Sequence, residues 1–431
     1  MLTNNLEIAT GTNSCFLISS ETCLAHLGVF AFESPTGSRH SESRSASYEF
    51  EIRTRIYPLR WCDIFISITA DGMSDADLLR SVELKFVAKL INMAWCSNTG
   101  LKFEPNSSTT KRYKSWQTIQ SEERIHMKIT LLDGGMGQEL CNRSSNPIHA
   151  EWGGWVMRHE PHLVQELHED YLRAGATVIT LNAYATTPRV GKDSHGQTRD
   201  FEGEQNTAIQ LALAARKATG RGARIAGTLP PLSWSYRPGL VEAFDQNLAD
   251  YRKIVEVEQD HVDLFICETM STAEEARAAA TASCASGKPV WVSWTLAETL
   301  AEDGCANLRS GETITEAIAA LNGLDVKGLL VNCSTPEVTT AAMPELARDG
   351  RPFGAYANAF SADLSQYGPG ETVKVIENRT DLNPPAYTAH VLEWVNAGAT
   401  IVGGCCQTDP SHIAEMKRQL IEAGHDIDGD S

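Results

Sequence analysis

From Met127 onward the sequence alternates between short β-rich runs and longer segments of helical spacing, and there are eight such runs. That alternation restricts the fold more than any other feature. Strand–helix repeats build parallel sheets with right-handed crossovers, and eight of them in about 275 residues fit a (β/α)8 TIM barrel. The runs are Ile129–Leu132, Thr177–Leu181, Arg224–Thr228, Leu264–Cys267, Val290–Thr295, Gly328–Asn332, Phe353–Ala357 and Thr400–Gly403. Between them, Pro161–Ala174 places Val164, Leu167 and Tyr171 on one face and stops at Gly175. Ser271–Ser286 opens with an expected cap at Ser271 and has Glu274 three residues on. Glu312–Leu321 and Ser411–Ala423 read similarly. A doubly wound open sheet is the alternative. Against it, the first strand runs into Asp133-Gly134-Gly135-Met136-Gly137, which lacks the G-x-G-x-x-G spacing of a dinucleotide-binding turn.

Residues 1–126 read differently. They hold 13 Lys or Arg against 14 Asp or Glu, whereas residues 127–431 hold 24 against 41. Nearly all of the net charge of −18 therefore belongs to the second part. Ser38–Ser47 is a Ser-rich polar run, and Asn106–Lys114 is polar again. Residues 76–95 have some helical periodicity, but no sustained core pattern or motif emerges. Cys15, Cys23, Cys62 and Cys96 have no metal-ligand spacing. The expectation is a 1–126 appended N-terminal segment of low order, or sequence upstream of a true start at Met127, followed by a 127–431 (β/α)8 domain.

Composition narrows the functional classes. An apolar share of 42% and a charged share of 21% are globular values. No run approaches the roughly 18–20 apolar residues of a membrane span. The first twenty residues carry no Lys or Arg, so the charged head of a secretory signal is missing. A cytoplasmic location is expected, with no membrane partner. The acidity and the lack of a basic stripe argue against nucleic acid. In a reducing compartment, eleven cysteines point to metal, catalysis or packing rather than disulfides.

In a barrel, chemistry gathers where the strands end. Read there, strand one ends in Asp133, strand two reaches Asn182 and Tyr184, and strand four ends in Glu268. Strand six ends in Cys333, and strand eight runs into Gly403-Gly404-Cys405-Cys406. Three thiolates on one rim suit Zn2+ and leave its fourth position open. Both adjacent cysteines can bind if the backbone turns sharply, which the two preceding glycines would permit. Alternatively, Cys405 and Cys406 are buried small hydrophobes or a vicinal disulfide. Cys267, inside strand four, is read as core, and Cys141, Cys284 and Cys305 are given no role.

These residues carry a family resemblance. The LLDGGMG start, the Val178–Pro188 segment, LLVNC, and GGCC followed by Pro410, His412 and Ile413 resemble the homocysteine S-methyltransferase family, over about Lys128 to Ala423. The resemblance implies that Cys333, Cys405 and Cys406 hold a Zn2+ ion that binds the homocysteine thiolate, and that this sulfur attacks an activated methyl group. It also implies that Asp133 and Glu268 contact the amino acid, through its ammonium. The backbone N–H groups of the Gly134–Gly137 loop, Gly134 and Gly135 included, are expected to take the carboxylate. A cationic methyl donor calls for aromatic faces, supplied by Trp152, placed in the loop after strand one, with Tyr184 on the same rim and Trp155 as a further aromatic nearby. Only 25 residues follow Cys406, which is similar to the short S-methylmethionine–homocysteine methyltransferases, so S-methylmethionine or S-adenosylmethionine is the expected donor. Gln407 stands where several relatives have Gly or Arg. The alternatives are another thiol or selenol acceptor, betaine or dimethylsulfoniopropionate as donor, or a zinc- or redox-sensing protein.

Overall fold

The computed structural model describes residues 47–56, 60–69, 126–149, 151–189, 191, 198–360 and 379–429. Two compact units divide the chain, Met1–Arg124 and Ile125–Ser431. In the first, β1 (Ser47–Ile56) and β2 (Arg60–Thr69) form an antiparallel hairpin. No element was expected there. The missed signal is an alternation of period two: the register sets Tyr48 opposite Ile68, Phe50 opposite Ile66 and Ile52 opposite Ile64. The helical periodicity over residues 76–95, and Cys15, Cys23 and Cys96, lie outside the described residues.

In the second unit eight parallel strands form the barrel wall. They are β3 (Lys128–Leu131), β4 (Val178–Thr180), β5 (Arg224–Leu229), β6 (Leu264–Met270), β7 (Val290–Trp294), β8 (Val326–Asn332), β9 (Phe353–Ala357) and β10 (Ile401–Gly404). Each pairs with the next from β4 to β10, and β10 pairs with β3. The ring closes between β3 and β4: Leu132 bridges Val178, and the Thr177 N–H donates to the Leu131 carbonyl at 2.7 Å. Closure excludes the open doubly wound sheet. A short strand, β11 (Asp426–Ile427), adds to the edge of β3.

The helices that the structure describes are α1 (Met136–Arg143), α2 (Trp152–His159), α3 (Pro161–Ala174), α4 (Phe201–Thr219), α5 (Phe244–Glu258), α6 (Ala273–Cys284), α7 (Ile314–Ala319), α8 (Pro336–Ala347), α9 (Pro384–Asn396) and α10 (Pro410–Glu422). Helices α1 and α2 are extra: they sit between β3 and its crossover helix α3. Among the described residues no helix is long and apolar enough to cross a membrane.

The wall strands are buried on both faces, which is why they read as apolar runs rather than as alternating ones. Leu132, Val178, Ala226, Leu264, Ile266, Trp291, Leu330, Tyr356 and Ile401 fill the barrel interior. A second, larger core lies between strands and helices, with Phe265, Trp294, Tyr171 and Trp394 fully buried. Local signals set the helix ends. Pro161 stands in the first turn of α3, and Gly175 ends it in a left-handed conformation. The cap of α6 is Thr272, one residue after the expected Ser271, and its side chain accepts from the Glu275 N–H at 3.0 Å. The Ser271 N–H instead donates to the Glu275 carboxylate. Asp409 and His412 form a capping box at the start of α10, which accounts structurally for the Pro410, His412 and Ile413 pattern.

Candidate active site

The carboxyl ends of the strands surround a cavity of about 340 Å³, at the small end of the roughly 300–1,000 Å³ usual for ligand pockets. Asp133, Gly134, Gly135, Trp152, Asn182, Tyr184, Glu268, Cys333, Cys405 and Cys406 all line it. Trp155 does not; it stacks between His149 and His159 on α2. Cys267 is fully buried within β6, hydrogen-bonded to Ser283 at 3.5 Å, and burial pushes its thiol up to about 12. That is a packing role.

The three rim cysteines converge. Their sulfurs all lie within 4.8 Å of one another, and Cys333 Sγ is 2.6 Å from Cys405 Sγ. Hydrogen bonds from Cys405 and Cys406 hold the Cys333 thiol well below its usual range, while those of Cys405 and Cys406 are pushed well above it. Three sulfurs sharing protons behave this way, because one thiolate repels the next. A divalent cation removes that repulsion and takes all three as thiolates.

The backbone that presents Cys405 and Cys406 is fastened on several sides. The Cys405 N–H donates to the Ala357 carbonyl (2.9 Å) and the Cys406 N–H to Asn358 Oδ1 (3.2 Å). The Cys405 carbonyl accepts from both the N–H and the hydroxyl of Thr408, closing a turn over residues 405–408. The left-handed residue of that turn is Gln407 (φ 63°), at the third position, where glycine is the usual choice. Gly403 and Gly404 therefore do not act through conformational freedom, as the sequence led us to expect. They allow close approach: a Cβ on Gly403 would lie 2.5 Å from Leu132 Cβ, and one on Gly404 would overlap the Thr408 side chain.

Gly135 is restricted in the same way. A Cβ there would stand 2.6 Å from the Cys405 carbonyl oxygen, a backbone atom that cannot swing aside. Gly135→Ala is expected to destabilise the protein by about 1–3 kcal/mol and to weaken metal retention. Denaturant unfolding and metal analysis of the same sample check both effects. The Gly135 N–H is committed to the Thr408 carbonyl at 3.0 Å. Of the Gly134–Gly137 loop, Met136 and Gly137 stand in the first turn of α1, where N–H groups have no intrahelical acceptor.

Two carboxyl groups share the cavity with the sulfurs. Burial pushes Asp133 up to about 7, against the pull of hydrogen bonds from the Thr180 N–H (2.8 Å) and hydroxyl (3.2 Å). Burial, then the charges of Cys333 and Asp133, push Glu268 well above the usual carboxylate range. Glu268 does not end its strand. It lies two residues before the end of β6, where the pairing with β7 slips between Cys267 and Met270. It is not the cap of α6, since Thr272 is. Nor is Asp133 only a turn former, since Thr180 on the next strand binds its carboxylate.

Aromatic rings form the remaining wall. Trp152 opens α2 with φ 53°, where a loop position was expected, and meets Tyr184 edge-on at 6.4 Å. The Tyr184 hydroxyl hydrogen-bonds the Ser235 hydroxyl at 2.7 Å. Trp234, Tyr236, Tyr356 and Phe360 also line the cavity and escaped the sequence reading. The available signal was the aromatic SWSY run after Pro230-Pro231, in the loop that follows β5. Arg189 and Arg199 line the rim too, but Arg189 pairs with Asp250, and Arg199 with Glu204.

Residues 130–420 match the family model described as homocysteine S-methyltransferase. The chain is 30% identical to the homocysteine S-methyltransferase of Escherichia coli strain K12 over 316 residues, 67% of this chain and 94% of that protein. It is 25% identical to the selenocysteine Se-methyltransferase of Brassica oleracea var. italica over 319 residues, 68% of this chain and 88% of that protein. Its fold matches the crystal structure of the homocysteine methyltransferase MmuM from Escherichia coli in its metallated form. That match has a TM-score of 0.54 and 27% identity, covering 70% of this chain and 98% of the other. A metallated relative and three sulfurs within coordinating range agree on a metal site. The closed barrel, the thiol-lined cavity and the match across residues 130–420 place this chain in the homocysteine S-methyltransferase family, as a methyltransferase.

Proposed function

We propose that the protein transfers a methyl group from a small sulfonium donor, S-methylmethionine or S-adenosylmethionine, to the sulfur of homocysteine, with Zn2+ held by Cys333, Cys405 and Cys406. The observation that carries this reading is the meeting, in one cavity, of three sulfurs within 4.8 Å and two buried carboxyl groups. An all-sulfur set suits zinc rather than a hard, oxygen-seeking cation. When bound, zinc supplies homocysteine as a thiolate at neutral pH, in place of a thiol with a free pKa of about 8.5.

The chain's own residues do the rest. Asp133 and Glu268 receive the substrate ammonium, which satisfies two carboxylates that burial otherwise disfavours. The first-turn N–H groups of α1 receive the carboxylate. The faces of Trp152 and Tyr184 hold the sulfonium centre. With both substrates fixed, the new carbon–sulfur bond forms as the old one breaks. The released electron pair stays on the donor sulfur, which becomes a neutral thioether, and the homocysteine proton leaves to solvent. No methylated protein intermediate is required.

A cavity of about 340 Å³ favours the smaller donor, S-methylmethionine. The test is to assay the zinc-loaded full chain with homocysteine and S-methylmethionine, S-adenosylmethionine, betaine or dimethylsulfoniopropionate, following methionine by mass spectrometry. Methionine from the first alone is the expected result. Methionine only from betaine or dimethylsulfoniopropionate would reject the donor assignment. The Brassica relative makes selenocysteine the acceptor to run in parallel. We further propose that residues 127–431 carry the whole activity in a reducing, cytoplasmic setting. A shortened chain starting at Met127 is then expected to keep the full rate.

A further inference from the structure

Among the described residues, five non-glycine residues have left-handed φ: Trp152, Tyr236, Thr269, Cys333 and Gln407. Four line the cavity, and the fifth, Thr269, follows Glu268 directly. Thr269 is the most demanding of them, because a branched Cβ rarely tolerates φ 61°. The pairing of β6 with β7 slips at this point, so the Thr269 N–H has turned out of the ladder inside a fully buried layer. Left there unpaired, it would be costly.

One side chain resolves this. Asn332, on β8, reaches across β7. Its Oδ1 accepts from the Thr269 N–H at 2.9 Å and from the Ser293 hydroxyl at 2.7 Å. Its Nδ2 donates to Thr269 Oγ1 at 2.8 Å. Asn332, Thr269 and Ser293 have no solvent exposure. The amide orientation is forced, since only an acceptor can face the Thr269 N–H. Aspartate would satisfy that N–H but lose the donor and bury a charge near Glu268. An apolar residue would leave the Thr269 N–H unmet. The next residue is Cys333, so Asn332 stands beside a sulfur on its own strand while its side chain braces the residue that follows a carboxylate.

We propose that Asn332 is a positioning residue for the substrate amine: it pins the β6 bulge in the left-handed form that turns Glu268 into the cavity, and so fixes the spacing from Glu268 to Cys333. This rests on Glu268 holding the ammonium of homocysteine.

The test is a double-mutant cycle in the zinc-loaded full chain, with Asn332→Ala and Thr269→Gly made singly and together. Loss of the amide's hydrogen bonds is expected to raise KM for homocysteine about thirtyfold, with kcat changed less than about threefold and zinc content intact. Glycine adopts φ near +60° without the steric cost that threonine bears there. In the Thr269→Gly background, then, Asn332→Ala should raise KM by less than about fivefold. The same factor in both backgrounds overturns the proposal, as does a fall in kcat at constant KM. If Asn332→Ala does not fold, Ser293→Ala removes only the brace on the same amide. A rise in KM of a few fold that vanishes with Thr269→Gly supports the pin, and an unchanged KM overturns it. Glu268→Gln, measured alongside, separates the two ideas. If it leaves KM unchanged, the amine reading itself fails. If it raises KM while the cycle is additive, only the pin fails.

Discussion

Replacing Cys333 with serine is expected to remove both the metal and the activity. Serine offers a hydroxyl that does not ionise at neutral pH, so a three-sulfur site loses a ligand that must be anionic. Zinc should fall from one per chain to a small fraction of that after dialysis. The rate loss has two parts. Without the metal, a thiol of pKa about 8.5 is only about 3% thiolate at pH 7, which costs roughly thirtyfold. Loss of the held geometry costs more. Together they put methionine formation at least about a thousandfold lower. Cys406→Ser should do the same, because its sulfur belongs to the same cluster. Metal analysis and a methionine assay on one preparation decide the matter. Stoichiometric zinc with activity retained in either variant would mean that the sulfurs meet for another reason.

Glu268→Gln is expected to have the next largest effect, on KM rather than kcat. A hydrogen bond to a charged partner contributes about 1.5–3 kcal/mol, so KM for homocysteine should rise by roughly 10- to 150-fold. The amine takes no part in the bond changes, so its loss weakens ground and transition states alike and leaves kcat nearly unchanged. Asp133 adds a pH signature. Burial sets its carboxyl at about 7 in the free protein. Below that pH it carries a proton and no longer pairs with an ammonium, so kcat/KM for homocysteine should fall as pH drops through 7. Asp133→Asn should lower kcat/KM at pH 8 and remove the part of the acid limb that Asp133 contributes, leaving the part due to Glu268, whose carboxyl burial also pushes up. An unchanged limb in that variant would detach Asp133 from substrate binding.

The second unit was largely legible in the sequence, for a physical reason. Parallel strands covered on both faces must be continuous apolar runs, and the helices around them must carry one apolar face. Phe353–Ala357 and Pro161–Ala174 therefore have the same bounds in sequence and structure. The cysteines were legible because a barrel brings its strand ends to one rim, so Cys333 and the Cys405–Cys406 pair meet despite lying 72 residues apart. The hairpin of β1 and β2 was missed because its period-two pattern is short and sits beside a Ser-rich run. The cap of α6 fell one residue later than the sequence suggested: the Thr272 hydroxyl accepts from the Glu275 N–H, while the Ser271 N–H donates to the Glu275 carboxylate.

What the sequence determined by itself is the list of groups and their approximate height on the barrel: three thiols, two carboxyls and two of the aromatic rings, Trp152 and Tyr184, at the carboxyl ends of the strands. Alternation and spacing are local properties, and chain order transmits them directly. The tertiary structure alone decided which backbone atoms remain available and which residues must be strained. The Gly135 N–H is taken by Thr408, a residue that follows β10, the strand paired with β3 but last of the ring in chain order. Gly403 and Gly404 are required by contacts with Leu132 and Thr408 rather than by their own torsions. Thr269 is held left-handed by an asparagine two strands away. Each of these depends on two segments remote in sequence meeting within about 3 Å, the range of hydrogen bonding and steric overlap, and nothing short of the closed ring fixes which segments those are.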